Sequence, residues 1–123
     1  MAVKAQTPFV VLPSAARTAA VDSADFTNRL YRGVRIFFDT TLDGAAASIT
    51  PTIQGKTAQG DYYTLLTGAA IADVGNIELI VHSDLTAVAN VVAKLPLGTI
   101  WRVSIAVADA DALTYSVYAE YLS

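Results

Sequence analysis

The stretch Ile100–Ala108, with the sequence IWRVSIAVA, decides the fold. Apolar residues alternate in it with polar or small ones: Trp101, Val103, Ile105 and Val107 against Arg102, Ser104 and Ala106. Successive side chains of a strand point to opposite faces, so this period of two predicts a strand with one buried face. Its β-branched and aromatic residues suit a pleated, half-buried surface.

Five further stretches show strand character, and glycine- or aspartate-containing turns separate them. They are residues 34–40, 48–54, 62–66, 76–82 and 113–122. Pro51 lacks a backbone N–H, so we expect an edge position or a strand break there. Short strands at this spacing predict an all-β, antiparallel sandwich or barrel rather than a parallel sheet crossed by helices.

Two regions lack the alternation of apolar and polar residues. Residues 83–94 are compatible with a helix capped by Ser83 or Asp84, or with a loop followed by a strand. Residues 1–32 read as an extended N-terminal arm and loop, and residues 33–123 as the single β-sandwich body. An isolated arm is costly to order, so we expect it to lie across a neighbouring molecule.

The composition favours a protein that buries part of its surface against partners. The 123 residues are 54% hydrophobic and only 15% charged, and they suffice for one domain with its own core. The net charge of −3 argues against nucleic-acid binding. It is uneven: residues 1–60 carry six cations and four acids, residues 61–123 two cations and seven acids. This asymmetry suits head-to-tail or layered packing between copies.

Membrane and export signals are not apparent in the sequence. No apolar run approaches the roughly 18 residues of a membrane-spanning helix, so we expect no membrane partner. The N-terminal residues have no long apolar stretch behind Lys4, and we expect no secretory signal.

Catalytic chemistry is not predicted. The chain has no cysteine, and its one histidine, His82, reads as a surface residue at a strand end. Nucleotide-loop and serine-nucleophile motifs do not occur. The pairs Asp39/Asp43 and Asp109/Asp111 are too sparse for a calcium loop and are better explained as turn formers. We therefore expect no enzyme activity, no metal and no cofactor.

The arginines and tyrosines are the candidate interface residues. Arg17, Arg29, Arg32 and Arg35 fall in the arm and at its entry into the body, and arginine is enriched at protein interfaces. Tyr62 and Tyr118 complete the predicted interface. An alternative is a sugar-stacking platform built from exposed aromatics: Tyr62, Tyr63, Tyr115, Tyr118, Tyr121 and Trp101. Trp101 lies on the apolar face of its strand, and we expect it in the core.

The order of several short motifs resembles a group of small tailed-bacteriophage virion proteins. These motifs are Ser14-Ala15-Ala16-Arg17-Thr18, Arg32-Gly33-Val34, Ile53-Gln54-Gly55-Lys56, Gly60-Asp61-Tyr62-Tyr63-Thr64-Leu65-Leu66 and Trp101-Arg102-Val103. The resemblance covers roughly residues 14–121. It departs at His82-Ser83-Asp84, where the group has a Pro-Gly turn.

The resemblance implies a capsid decoration (cement) protein with a β-sandwich or jelly-roll body and no catalytic site. A minor head or tail component is the alternative within the virion, and a carbohydrate-binding β-sandwich module is the alternative outside it. The implied partners are the major capsid protein and further copies in a homotrimer. The implied location is the capsid surface of the virion, after synthesis in the host cytoplasm.

Overall fold

The computed structural model of the chain describes residues 5–43, 47–108 and 111–123. Within these ranges the chain forms ten β-strands and no helix. The strands are β1 (Phe9–Arg17), β2 (Val21–Asp22), β3 (Phe26–Thr27), β4 (Gly33–Asp43), β5 (Ile49–Lys56), β6 (Tyr62–Thr67), β7 (Gly75–His82), β8 (Val92–Ala93), β9 (Ile100–Val107) and β10 (Leu113–Leu122).

The strands form two sheets that pack face to face as a jelly roll. The first sheet has the order β1-β10-β4-β7-β8, and the second has the order β2-β9-β5-β6, with β3 also paired to β9. When the short strands β3 and β8 are left out, eight strands remain. They pair as β1 with β10, β2 with β9, β4 with β7 and β5 with β6, so each pair encloses the next along the chain. This nested antiparallel pairing is the double Greek key of a jelly roll.

The predicted alternation accounts for the core. Residues of β4 and β7 that share a face, such as Ile36 and Leu79, lie side by side and are fully buried. They pack in one hydrophobic cluster with the inward residues of β9, which include Trp101 and Val103. The predicted all-β sandwich and the core position of Trp101 are confirmed.

Pro51 lies in an interior strand, and the expectation of an edge or a break there is wrong. β5 runs between β9 and β6. Ile49 exchanges two backbone hydrogen bonds with Ile71, and the carbonyl of Pro51 accepts one from Gly68. The nitrogen and carbonyl of one strand residue point the same way, so the nitrogen of Pro51 faces residues 68–70, beyond the end of β6. The missing donor therefore falls where the ladder is already interrupted.

The N-terminal segment is part of the sandwich, which corrects the division into an arm (1–32) and a body (33–123). β1 pairs with β10 along the edge of the first sheet, while β2 and β3 pair with β9 in the second. Val11 and Leu12 are buried in the core. The β1 ladder shifts register twice between Val10 and Ala15, so alternation is lost in the sequence although a strand forms.

Residues 83–94 contain no helix. A turn closes with hydrogen bonds between Val88 and Val92, and Val92–Ala93 then pairs in parallel with β7. The sequence was compatible with either a helix or a loop followed by a strand, and the structure shows a loop followed by a strand. His82, at the end of β7, is fully buried rather than exposed as expected.

An aromatic cluster joins the two sheets at one end of the sandwich. Trp101 stacks on Phe26 at 4.9 Å between ring centres and meets the Tyr121 ring edge-on at 6.0 Å. Trp101 Nε1 donates a hydrogen bond to the Tyr121 hydroxyl (3.2 Å), which donates to the carbonyl of Thr27 (3.1 Å). Phe9 lies 5.3 Å from the Tyr121 ring. This cluster links the first, third, ninth and tenth strands.

Tyr115 is buried, unlike the partly buried Tyr121, and its hydroxyl differs in hydrogen bonding. Its side chain is fully buried, and its hydroxyl has no hydrogen-bond partner among the described residues. Burial raises the pKa of this phenol, and the nearby Arg17 guanidinium offsets the rise only in part. Arg17 donates to the backbone carbonyl of Tyr115 (2.8 Å). An unpaired buried hydroxyl costs stability.

Removing the hydroxyl from each tyrosine should shift stability in opposite directions. We expect Tyr115→Phe to raise the free energy of unfolding by about 1 kcal/mol, because it removes an unpaired buried polar group. We expect Tyr121→Phe to lower it by about 1–2 kcal/mol, because Trp101 Nε1 loses its acceptor. Urea unfolding followed by the fluorescence of the single tryptophan measures both. A loss of stability in Tyr115→Phe as large as that in Tyr121→Phe would contradict the assignment.

Candidate protein-interaction surface

The outer face of the first sheet carries a row of apolar side chains, of which two are exposed and Phe37 is half-buried. The strand register places Phe37 on β4 beside Tyr118 on β10, and Tyr118 beside Val10 on β1. Tyr118 is 37% exposed and Val10 52% exposed. We call Phe37, Tyr118 and Val10 the apolar row. Its residues occupy the outward positions of their strands, where a solvated sheet face normally carries polar residues.

Charged side chains border the apolar row on one side. Arg35 is the outward residue two positions before Phe37, and its Nε donates to Glu78 at 2.9 Å. The same guanidinium reaches Glu120 at 3.3 Å and lies 4.8 Å from the centre of the Phe37 ring. Because both carboxylates pair with one arginine, this border is electrostatically satisfied within the protein.

A shallow hollow of about 490 Å³ lies on the other side of the apolar row. Its lining combines three apolar side chains, Phe37, Tyr118 and Ile77, with three polar ones, Asp39, Asn76 and Glu78. Asp39 and Asn76 are cross-strand neighbours, and no side-chain hydrogen bond or ion pair joins either one to the described residues. The hollow therefore offers unpaired hydrogen-bonding groups beside aromatic surface.

The outer face of the second sheet is polar and internally paired. Arg102 donates to Gln54 at 2.8 Å, lies 3.4 Å from Asp22 and sits 3.4 Å from the centre of the Tyr62 ring. The Tyr62 hydroxyl donates to Asp25 at 2.7 Å, and Lys56 pairs with the same carboxylate at 3.0 Å. These contacts satisfy the charges of this face without a partner molecule.

The four predicted interface arginines do not form one cluster. Arg17 holds β1 to β10 through hydrogen bonds to the carbonyls of Pro13 and Tyr115. Arg32 pairs with Asp84 at 2.6 Å in an exposed salt bridge, and Arg35 belongs to the border of the apolar row. Arg29 is exposed and makes no hydrogen bond or ion pair with the described residues.

The predicted tyrosines are likewise dispersed. Tyr62 is covered by Arg102, and Tyr115 and Trp101 are buried in the core. Tyr121 stacks on Tyr31 at 4.9 Å. The six aromatic residues of the predicted sugar-stacking platform therefore do not come together on one surface. Of the predicted pair Tyr62 and Tyr118, only Tyr118 presents an exposed ring. It lies beside Phe37, which was not among the predicted interface residues.

One signal for the apolar row was present in the sequence. Phe37 and Tyr118 are aromatic residues in the outward phase of strands whose inward phase is already apolar. The sequence could not predict that the two residues are neighbours, because they lie far apart in the chain and meet only through the pairing of β4 with β10.

His82 serves a structural purpose. The backbone N–H of Asp84 donates to Nδ1 at 3.0 Å, so Nδ1 carries no proton and Nε2 donates to the main-chain oxygen of Ser123 at 2.9 Å. No group of three potential ligands among the described residues could hold a metal ion. The predicted carboxylate pair Asp109/Asp111 lies partly outside the described residues, and the same holds for the Asp43 side chain. Nor is any helix of the described ranges suited to crossing a membrane.

The chain matches no family model and no curated protein. Among solved structures, a chain in the structure of infectious bursal disease virus, Gx strain, is similar to it with a TM-score of 0.52 and 7% sequence identity. The similarity covers 99% of this chain and 33% of that chain, so this chain spans about a third of its length. At this identity, the likeness shows a shared fold.

Acid should lower the stability of the protein by protonating Asp25, which pairs with Tyr62 and Lys56 on the outer face of the second sheet. Hydrogen bonds from Tyr62 and then Lys56 hold the pKa of Asp25 below its ordinary value of 3.8. A depressed pKa contributes stability that is present above pH 3.8 and is lost as the pH falls through the lower, folded-state value. We expect Asp25→Asn to flatten the dependence of the thermal midpoint on pH in that acidic range. Asp73→Asn, at an exposed carboxylate without such partners, is the control and should retain the wild-type slope.

Proposed function

We propose that this chain is a virion structural protein of the capsid-decoration type, which binds an assembled shell and stabilises it. The observation that carries the proposal is the nested strand pairing of a jelly roll, an architecture used in viral capsid domains. The likeness to a chain of a virus structure over 99% of this chain supports the same role.

The surface narrows the choice among functions of this fold. Jelly rolls also occur in metal-dependent cupins and in lectins, so the fold alone does not decide. A cupin needs a metal site, and the described residues offer no group of three ligands. The one histidine is buried and has both ring nitrogens engaged. A binding role is the better fit to a surface with an apolar row and a paired charged border.

The apolar row has the composition of a protein interface. Aromatic residues and arginine are enriched at interface centres, and Phe37, Tyr118 and Arg35 lie together here. Since Arg35 already pairs with Glu78 and Glu120, covering this charged border would leave none of these three side chains without a partner. We propose that the outer face of the first sheet contacts the major capsid protein.

A decoration protein of this kind stabilises a shell by mass action, because it binds the assembled state and not the dissociated subunits. We propose that it acts as a homotrimer on the capsid surface of the virion, after synthesis in the host cytoplasm. Several contacts per trimer then add avidity without a strong individual contact. A minor head or tail component would use the same surface at a different place on the particle.

A carbohydrate-binding module is the second candidate, and the hollow beside the apolar row favours it. Sugar rings stack on aromatic faces, and their hydroxyls donate hydrogen bonds to carboxylates and exchange them with amide groups. Phe37 and Tyr118 supply the rings, and the unpaired Asp39 and Asn76 supply the polar groups. The same variant of Tyr118 therefore tests both functions, with shells in one arm and glycans in the other.

Shell binding should depend on Tyr118. We expect Tyr118→Ala to weaken binding to undecorated capsid shells by about ten- to a hundred-fold, as the loss of an aromatic interface anchor does. Co-sedimentation with purified shells measures the affinity, and the temperature of shell disruption with and without the protein measures stabilisation.

Tyr63→Ala is the matched control, because Tyr63 is 43% exposed but lies on β6 of the second sheet. It should bind shells as the wild type does. Wild-type protein that neither binds nor stabilises shells would contradict the decoration role. Binding to a glycan array that is lost in Tyr118→Ala, without any shell binding, would replace it with the carbohydrate-binding role.

A further inference from the structure

The loop between β3 and β4 presents an unusually exposed apolar tip. Leu30 is 84% exposed, which is the largest exposure among the large hydrophobic residues described. Arg29 precedes it and makes no ion pair or hydrogen bond with the described residues. A large aliphatic side chain beside a free cation at a loop tip is suited to insertion into an apolar recess with a negative rim.

The tip is held rigidly. The side-chain amide of Asn28 donates to the carbonyls of Tyr31, Leu97 and Gly98, and its oxygen accepts the backbone N–H of Tyr31. Asn28 is buried. Tyr31 stacks on Tyr121 of the aromatic cluster at 4.9 Å. The conformation that exposes Leu30 is therefore fixed before any partner arrives, which lowers the entropic cost of binding.

A small recess with the complementary chemistry lies at the opposite end of the sandwich. It has a volume of about 180 Å³ and is lined by residues 70–77. Cavities of about 150 Å³ accommodate a molecule the size of benzene, so the recess has room for a leucine side chain. Val74, 58% exposed, supplies apolar surface. Asp73 also lines the recess, is exposed, and makes no ion pair or hydrogen bond with the described residues.

The tip and the recess of one molecule cannot meet. The tip leads directly into Gly33 at the start of β4, whereas the recess borders Gly75, which pairs with Thr40 near the other end of that strand. Gly33 and Thr40 are seven positions apart on β4, and at about 3.4 Å per residue this is roughly 24 Å. A partner for the tip must therefore come from another molecule.

We propose that copies of this chain associate head to tail, with Leu30 of one copy in the recess of the next and Arg29 beside Asp73 of that next copy. Two different patches meet in such a contact, so repetition generates a closed ring or an open filament. The contact deepens the self-association that the proposed function includes, and it rests on that part of the proposal alone. It does not use the apolar row, although the recess shares Asn76 and Ile77 with the hollow.

Sedimentation velocity of the full chain at concentrations up to about 1 mM tests the contact, because even weak association is populated there. We expect the wild type to form species larger than a monomer. We expect Leu30→Asp to weaken the association at least about tenfold, since it removes the apolar anchor. Arg29→Glu and Asp73→Lys should each weaken it and also reverse its salt dependence, because like charges then meet and salt screens their repulsion.

The double variant Arg29→Glu with Asp73→Lys is the decisive measurement. It restores opposite charges at every head-to-tail contact, so we expect it to associate more strongly than either single variant. A wild type that stays monomeric at about 1 mM overturns the proposal, as does a double variant weaker than both singles. Tyr118→Ala should associate as the wild type does. A chain that binds shells but does not associate would overturn this contact and leave the decoration role standing.

Discussion

The packing and hydrogen bonding of Trp101 with Tyr121, inside the aromatic cluster, tie the two layers of the sandwich together at one end. Trp101 belongs to the second sheet and Tyr121 to the first, so the bond joins the layers directly. Phe9 and Phe26 pack against the same pair and bring β1 and β3 into the sandwich. A fold without disulfides relies on such burial, because aromatic side chains contribute more buried area than any other residues.

The alternation of the strands was readable in the sequence, and their partners were not. Trp101, Val103 and Ile105 are buried as their spacing predicts, since a period of two needs only local information. The strand at Phe9–Arg17 was missed because its register shifts break that period, and pairing with β10 compensates for the irregularity. The apolar row was missed for the related reason that strand register brings its members together.

The two outer faces differ in a way that local sequence does not reveal. Arg102 and Arg35 occupy similar outward positions, but Arg102 joins a network with Gln54, Asp22 and the Tyr62 ring that covers its face. Arg35 pairs with two glutamates and lies over the half-buried Phe37 ring, while Tyr118 next to Phe37 stays exposed. Charges paired in advance reduce the desolvation cost of covering a surface. The first sheet is therefore the face better prepared for a partner.

The geometry of a jelly roll separates the apolar row from the two ends that the head-to-tail contact uses. A sheet face runs parallel to the strands, whereas the Leu30 tip and the Asp73 recess lie at opposite strand ends. A molecule that rests on a surface through the apolar row thus leaves both ends free for neighbouring copies on the same surface. Contacts along the layer would raise the local concentration of each neighbour, so weak head-to-tail pairing would strengthen binding to the shell without enlarging either interface.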